Sequence, residues 1–189
     1  GSMTLVRATA LLWLLPAVAV AAPVRGVALG LFAEDAGWSY RPLLDEIAAA
    51  GADHVELVVP WYQADAASTA IVDHPRYTPT PAALTAAIRD ARAAGLLVTL
   101  FPIVRLSAPR TPDEWRGTLQ PRDRAAWWRC YRARLVGLAR LAAGERVAVL
   151  SVGSELSTLD GPADRAAWAA TVAGPQPFRP AAARRRNRR

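Results

Sequence analysis

An α/β fold of the (β/α) TIM-barrel type, limited to about four βα units, is predicted by three features of this 189-residue sequence. Four short apolar runs alternate with four segments of helical periodicity. The runs are near-continuous in their apolar character, as in parallel strands covered by helices. The connections after the second and third runs are long (residues 62–79 and 105–122), whereas those returning to the next run are a few residues. Long loops on one end and short ones on the other divide function from stability in β/α barrels. A doubly wound open sheet is the alternative, but its Gly-rich phosphate turn is absent from VALGLFAEDAG.

The elements follow in order. Residues 24–32 (VRGVALGLF) form the first strand, with Glu34 and Asp35 in the loop beyond. Over residues 40–50, Tyr40, Leu43, Leu44 and Ile47 recur at helical spacing, and Gly51 stops the helix. Residues 54–61 (HVELVVPW) are the second strand. Thr80-Pro81 opens the second helix, because the first turn does not need the N–H that Pro lacks. Leu84, Ala87, Ile88 and Ala91 are its buried stripe, and Gly95 ends it. Residues 96–104 (LLVTLFPIV) are the third strand. Trp128, Tyr131, Leu135, Leu138 and Ala142 mark a long third helix closed by Gly144. Residues 147–152 (VAVLSV) are the fourth strand, and residues 162–172 begin a fourth helix.

The net charge of +7 belongs to the ends. All 23 basic residues are Arg, and residues 23–174 balance 16 Arg against 16 acids. A neutral middle argues against a nucleic-acid-binding domain, which would carry a basic face. Disorder is excluded for the bulk by 52% hydrophobic residues and seven Trp. Residues 3–22 read as a signal peptide: Arg7 precedes an apolar run that ends in small residues at Ala19, Ala21 and Ala22. The run is too short for a stable membrane span, so a secreted or periplasmic product is expected; a buried N-terminal helix is the alternative. Residues 175–189 hold six Arg and no acid. This tail reads either as a frameshift product of GC-rich coding DNA, which would also explain 41 Ala and no Lys, or as a polyanion-binding arm. The single Cys130 can form no intrachain disulfide and sits in the helical pattern as a buried, inert thiol.

The long-loop end would collect Glu34 and Asp35, Trp61-Tyr62-Gln63, Trp115-Arg116-Gly117 and Ser154-Glu155. Aromatic rings beside carboxylates suit a sugar, whose apolar face stacks on indole while carboxylates move protons. A carboxylic acid at a strand's C-terminal end, in a partly apolar pocket, has the environment of a general acid, which makes Glu155 the sharpest candidate. A solvated Glu near a helix start is the plainer reading. Trp115, Trp127 and Trp128 are equally compatible with core packing. His54 and His74 lack metal-ligand spacing, and no metal or organic cofactor is implied.

The run GADHVELVVPWYQADAASTAIVDHPRYTPTPAAL is similar to the second strand and following loop of the bacterial β-mannanases of glycoside hydrolase family 113. The likeness continues through Gly95-Leu96-Leu97-Val98, Trp115-Arg116-Gly117, Trp127 to Arg134 and Ser151-Val152-Gly153-Ser154-Glu155-Leu156. Those enzymes are clan-A (β/α)8 barrels. The resemblance implies that Glu155 is the acid/base carboxylate at the end of strand four, and that Trp61 and Tyr62 contact sugar. Trp115, Arg116 and Ser154 fall on the family's pattern as further substrate-side residues. Ser154 stands where clan-A enzymes commonly have Asn, which bonds the sugar 2-OH. Strand three ends Phe101-Pro102-Ile103-Val104-Arg105, where the family often has Pro-His and then an acid.

Retaining glycosidases need a second carboxylate about 5 Å from the first. In this clan it closes strand seven, and nothing in these 189 residues matches it. The sequence is therefore expected to be half a barrel with a weak or absent mannan-hydrolysing activity. A non-catalytic carbohydrate-binding or self-associating half-barrel is the second reading, and a polyanion binder acting through the Arg tail is the third. The expected partner is a β-linked polysaccharide or oligosaccharide such as mannan.

Overall fold

Four parallel strands make one sheet in the order β1-β2-β3-β4: β1 Gly26–Gly30, β2 His54–Gln63, β3 Leu97–Leu106 and β4 Val149–Leu150. The computed structural model describes residues 23–174. The expected signal peptide at 3–22 and the Arg-rich tail at 175–189 lie outside the described residues. Helices α1 (Arg41–Ala49), α2 (Pro81–Ala93), α3 (Arg124–Gly144) and α4 (Arg165–Ala173) follow the four strands in turn. The order is that of consecutive βα units, as the alternation of runs predicted.

Parallel register explains which side chains meet the helices. Val55 pairs with Val98 and Leu57 with Leu100 across β2 and β3, and all four are buried. They face Leu84, Ala87, Ile88 and Ala91 of α2 in one continuous core. Fully burying a Leu or Ile side chain contributes roughly 1.5–3 kcal/mol, so these two strands and α2 form the stable centre. The alternate residues His54, Glu56 and Val58 point to the opposite face and are only half-buried. No helix among the described residues is long and apolar enough to cross a membrane.

Local chemistry sets most boundaries. Thr80 caps α2, its Oγ1 accepting from the Ala83 N–H at 3.1 Å, with Pro81 in the first turn. Gly51 and Gly95 adopt φ of 88° and 87°, the left-handed stops expected after α1 and α2. The third helix ends at the expected residue. Gly144 is its last helical residue, and the left-handed position falls on Arg146 at φ 56°. Asp123 caps its start, accepting from the Ala126 N–H at 2.8 Å.

Two strands run past their expected ends, β2 to Gln63 and β3 to Leu106. The fourth is shorter than residues 147–152, keeping a ladder only at Val149 and Leu150. Among the described residues it has a neighbour on one side only, and the chain leaves the ladder after Ser151 donates to the Leu100 carbonyl.

Candidate functional site

The site lies where the strands end and the long loops begin. Its rim is held by backbone bonds between the β2–α2 and β3–α3 loops. Ser107 and Ala108 donate to the carbonyls of Gln63 and Ala64 at 2.9 and 2.7 Å. Gln120 and Arg122 donate to those of Ala66 and Ala67 at 2.8 and 3.0 Å. Arg110 joins the same loops by ion pairs to Asp65 at 3.2 Å and Glu114 at 3.3 Å. Loops otherwise free to move become one ledge through backbone pairing, since exposed ion pairs alone contribute little.

On that ledge, Trp115 is 45% exposed and Gly117 lies directly beneath its indole, where a Cβ would collide with the ring. Arg116 stacks 5.7 Å from the centroid of the Trp115 ring and donates from its terminal nitrogen to the Glu155 carboxylate. Arg116 is the Glu155 side chain's only hydrogen-bond or ion-pair partner among the described residues. Glu155 sits at φ 53°, a left-handed conformation unfavourable for a side chain bearing a Cβ. Strain of this kind persists only where the surroundings impose it.

Those surroundings are visible. The Tyr131 hydroxyl donates to the Val152 carbonyl at 3.1 Å. Gly153 lies against the Trp168 indole so closely that no side chain fits there. Trp168 in turn donates to the Leu159 carbonyl at 2.8 Å. Below, Asp164 is buried and accepts from Arg124 Nε at 2.8 Å and from Trp128 Nε1 at 2.8 Å. The Arg124 guanidinium holds the Asp164 carboxyl below the usual carboxylate range against the opposing effect of burial, and the Trp128 bond adds to it. The same guanidinium reaches the Thr158 carbonyl at 2.5 Å. The segment carrying Ser154 and Glu155 is thus anchored at both ends to α3. Ser154 is half-buried and makes no side-chain hydrogen bond among the described residues.

Tyr62 and Trp61 part company, as neighbours on a strand must. Trp61 turns toward the helices, packed edge-on against Tyr131 with Arg134 4.9 Å over its ring. Trp61 is 4% exposed and Tyr62 5%, so both rings are buried among the described residues. Tyr62 lies on the opposite face, paired in register with Arg105 of β3. Its ring rests against His74 at 4.9 Å and Tyr77 at 6.4 Å. Burial raises the Tyr62 hydroxyl pKa, opposed by Arg105, whose terminal nitrogen donates to that oxygen at 3.3 Å. Arg105 also lies 5.1 Å over the Phe32 ring.

The remaining expected residues divide between packing and turns. Trp127 and Trp128 are core. Glu34 pairs with Arg76 at 2.6 Å, and Asp35 accepts from the Gly37 N–H at 2.8 Å. His74 is held between two tyrosines, and Cys130 is half-buried beside Ile71. The described residues contain no cluster of acids, His and Cys suited to a metal. Phe32, His74, Tyr77 and Arg105 went unremarked as site residues in the sequence. Only the register that sets Tyr62 beside Arg105 brings them together.

Solved structures share the fold. The GH113 β-mannanase AaManA from Alicyclobacillus acidocaldarius, in complex with ManMIm, is 23% identical at a TM-score of 0.69. The match covers 79% of this chain and 50% of that one. Two structures described as GH113 β-1,4-mannanase, at 18% and 17% identity, have TM-scores of 0.68 and 0.67 with the same coverage. At these identities the likeness shows the fold alone, and the chain spans about half the length of the proteins it matches. No curated protein matches the chain. The family model described as Glycoside Hydrolase Family 113 matches residues 30–175. With that match running from the end of the first strand past the fourth helix, the chain belongs to glycoside hydrolase family 113.

Proposed function

We propose that residues 23–174 form the acid/base side of a glycosidase site for a β-linked, mannan-type polysaccharide. The observation that carries this reading is Glu155, standing just past β4 with Arg116 on its carboxylate and the half-exposed Trp115 indole alongside. In its acid form Glu155 protonates the glycosidic oxygen, while the half-exposed Trp115 indole offers a ring to the sugar face. The bond-breaking step also requires a second carboxylate on the other side of the sugar. The Glu155 side chain has only Arg116 as a polar partner among the described residues, so these residues alone are expected to bind mannan-type sugars and cleave them slowly or not at all.

Titration with mannotetraose, read by NMR, tests the binding. Shifts at the Trp115 indole and Glu155 are expected; their absence would overturn the sugar-site reading. Reducing-sugar assays on β-1,4-mannan test the chemistry. Turnover well above background that is lost in Glu155→Gln would support the acid/base role and overturn the expectation of slow cleavage. Export is proposed on the leader sequence at residues 3–22.

Self-association is the second reading. It is favoured by Leu97 and Val149, which are about half exposed at 52% and 48%. A concentration-dependent dimer in sedimentation, lost in Leu97→Glu, would support it.

A further inference from the structure

Arg105 differs from three arginines of the neighbouring loops. Arg76, Arg110 and Arg116 each have a carboxylate: Glu34, the pair Asp65 and Glu114, and Glu155. Arg105 makes no ion pair among the described residues. Its single hydrogen bond, to the Tyr62 hydroxyl at 3.3 Å, leaves most of its five N–H donors without a protein acceptor.

It is nevertheless held in place. The guanidinium lies over Phe32 at 5.1 Å and over Tyr62 at 5.7 Å, and Tyr62 is itself fixed against His74 and Tyr77. Stacking restrains a long side chain that would otherwise lose entropy on binding. Its place is at the C-terminal end of β3, where β/α barrels bind ligands.

We propose that Arg105 is a specificity-determining residue for an acidic sugar, its guanidinium pairing with the carboxylate of a uronic acid unit in a β-1,4-linked glycan. This rests on the sugar-site reading and departs from it in substrate class, replacing a neutral mannan-type unit with its uronic-acid counterpart. A planar fork of N–H donors matches a carboxylate in two parallel bonds. A neutral hexose offers only hydroxyls, which form weaker uncharged bonds with the same donors. Phe32, 39% exposed, flanks the fork with apolar surface on which the ring of the same sugar unit can rest.

The test compares β-1,4-linked mannotetraose with the β-1,4-linked tetramer of mannuronic acid, the same backbone with a carboxylate at C6. Binding to the full chain is measured by calorimetry at low and high salt. Because the chain carries a net charge of +7, Arg92→Gln, in the last turn of α2 away from the loop face, controls for unspecific attraction. The acidic tetramer is expected to bind about 10-fold tighter, as a charge-assisted pair provides. Arg105→Gln should reduce that preference to about one, Arg92→Gln should preserve it, and Arg105→Lys should fall between. Equal or tighter binding of the neutral tetramer to the wild-type chain overturns the proposal and leaves the sugar site standing. So does a preference that Arg105→Gln leaves intact. Binding of neither tetramer overturns both. Should Arg105→Gln fail to fold, the wild-type comparison and Arg105→Lys still decide the matter.

Discussion

The Trp127 indole donates to the side-chain carbonyl of Gln63 at 2.9 Å, in a place where neither side chain meets solvent. The amide of the same Gln63 donates to the carbonyls of Asp65 at 2.8 Å and Ser68 at 3.3 Å. One buried side chain therefore ties the end of β2 and the curl of its loop to α3. Gln63→Ala would strand the indole N–H and two carbonyls, and a buried unpaired group costs about 1–3 kcal/mol. A loss of about 3 kcal/mol is expected from urea denaturation. Pairing it with Trp127→Phe should cost less than the sum of the single changes.

Asp164 should make the fold acid-sensitive. Its pKa in the folded chain is lowered, chiefly by Arg124. As pH falls, the unfolded chain takes up this proton first. The stability that Asp164 contributes is therefore complete above its unfolded pKa of about 4 and is lost as pH falls through the lower folded value. Asp164→Asn should cost roughly 3 kcal/mol at pH 7, the low end for breaking a buried pair, because Arg124 remains 40% exposed. Thermal melts should show the gap between wild type and Asp164→Asn closing toward pH 2.

Among the described residues, two with a Cβ hold left-handed backbone, Arg146 and Glu155. Glycine relieves that strain but widens the unfolded ensemble, for a net gain of about 0.5–1 kcal/mol. Arg146→Gly should raise the melting temperature without altering sugar binding. Glu155→Gly should be more stable than Glu155→Gln by a similar amount although both lack the carboxylate. If Glu155→Gly melts below Glu155→Gln, the backbone at this position is not strained.

Export should leave a mature chain beginning at Ala22 or Pro23, after one of the two small-residue sites. Intact-mass measurement on protein recovered from the periplasm or medium of an expressing bacterium checks this. A mass that retains residues 3–22 would overturn the leader reading.

The layout of strands and helices was legible because the apolar runs of β2 and β3 and the stripe of α2 are set by which face is buried. Gly51 and Gly95 marked helix ends because no other residue adopts those dihedrals as readily. Gly144 also ends α3, but the left-handed conformation falls two residues on, at Arg146. The site was less legible. Trp61 and Tyr62 are adjacent letters, and only the facing of the strand decides which packs on Tyr131 of α3 and which on His74 and Tyr77, both rings being buried. Arg105 became visible through inter-strand register, a relation between residues 43 positions apart. Sequence periodicity carries no such information. Gln63 was read as part of a motif; its work inside the core depends on an indole contributed by α3.

The interlocked loops around the mouth have a consequence for altering it. Four backbone bonds and the Arg110 bridge make residues 63–67 and 107–122 interdependent in length. An insertion in one would shift every bond to the other and carry Trp115 and Arg116 away from Glu155. Grafting new specificity here calls for both loops to be moved together as a cassette, with Gln63 and Trp127 as its fixed mounting.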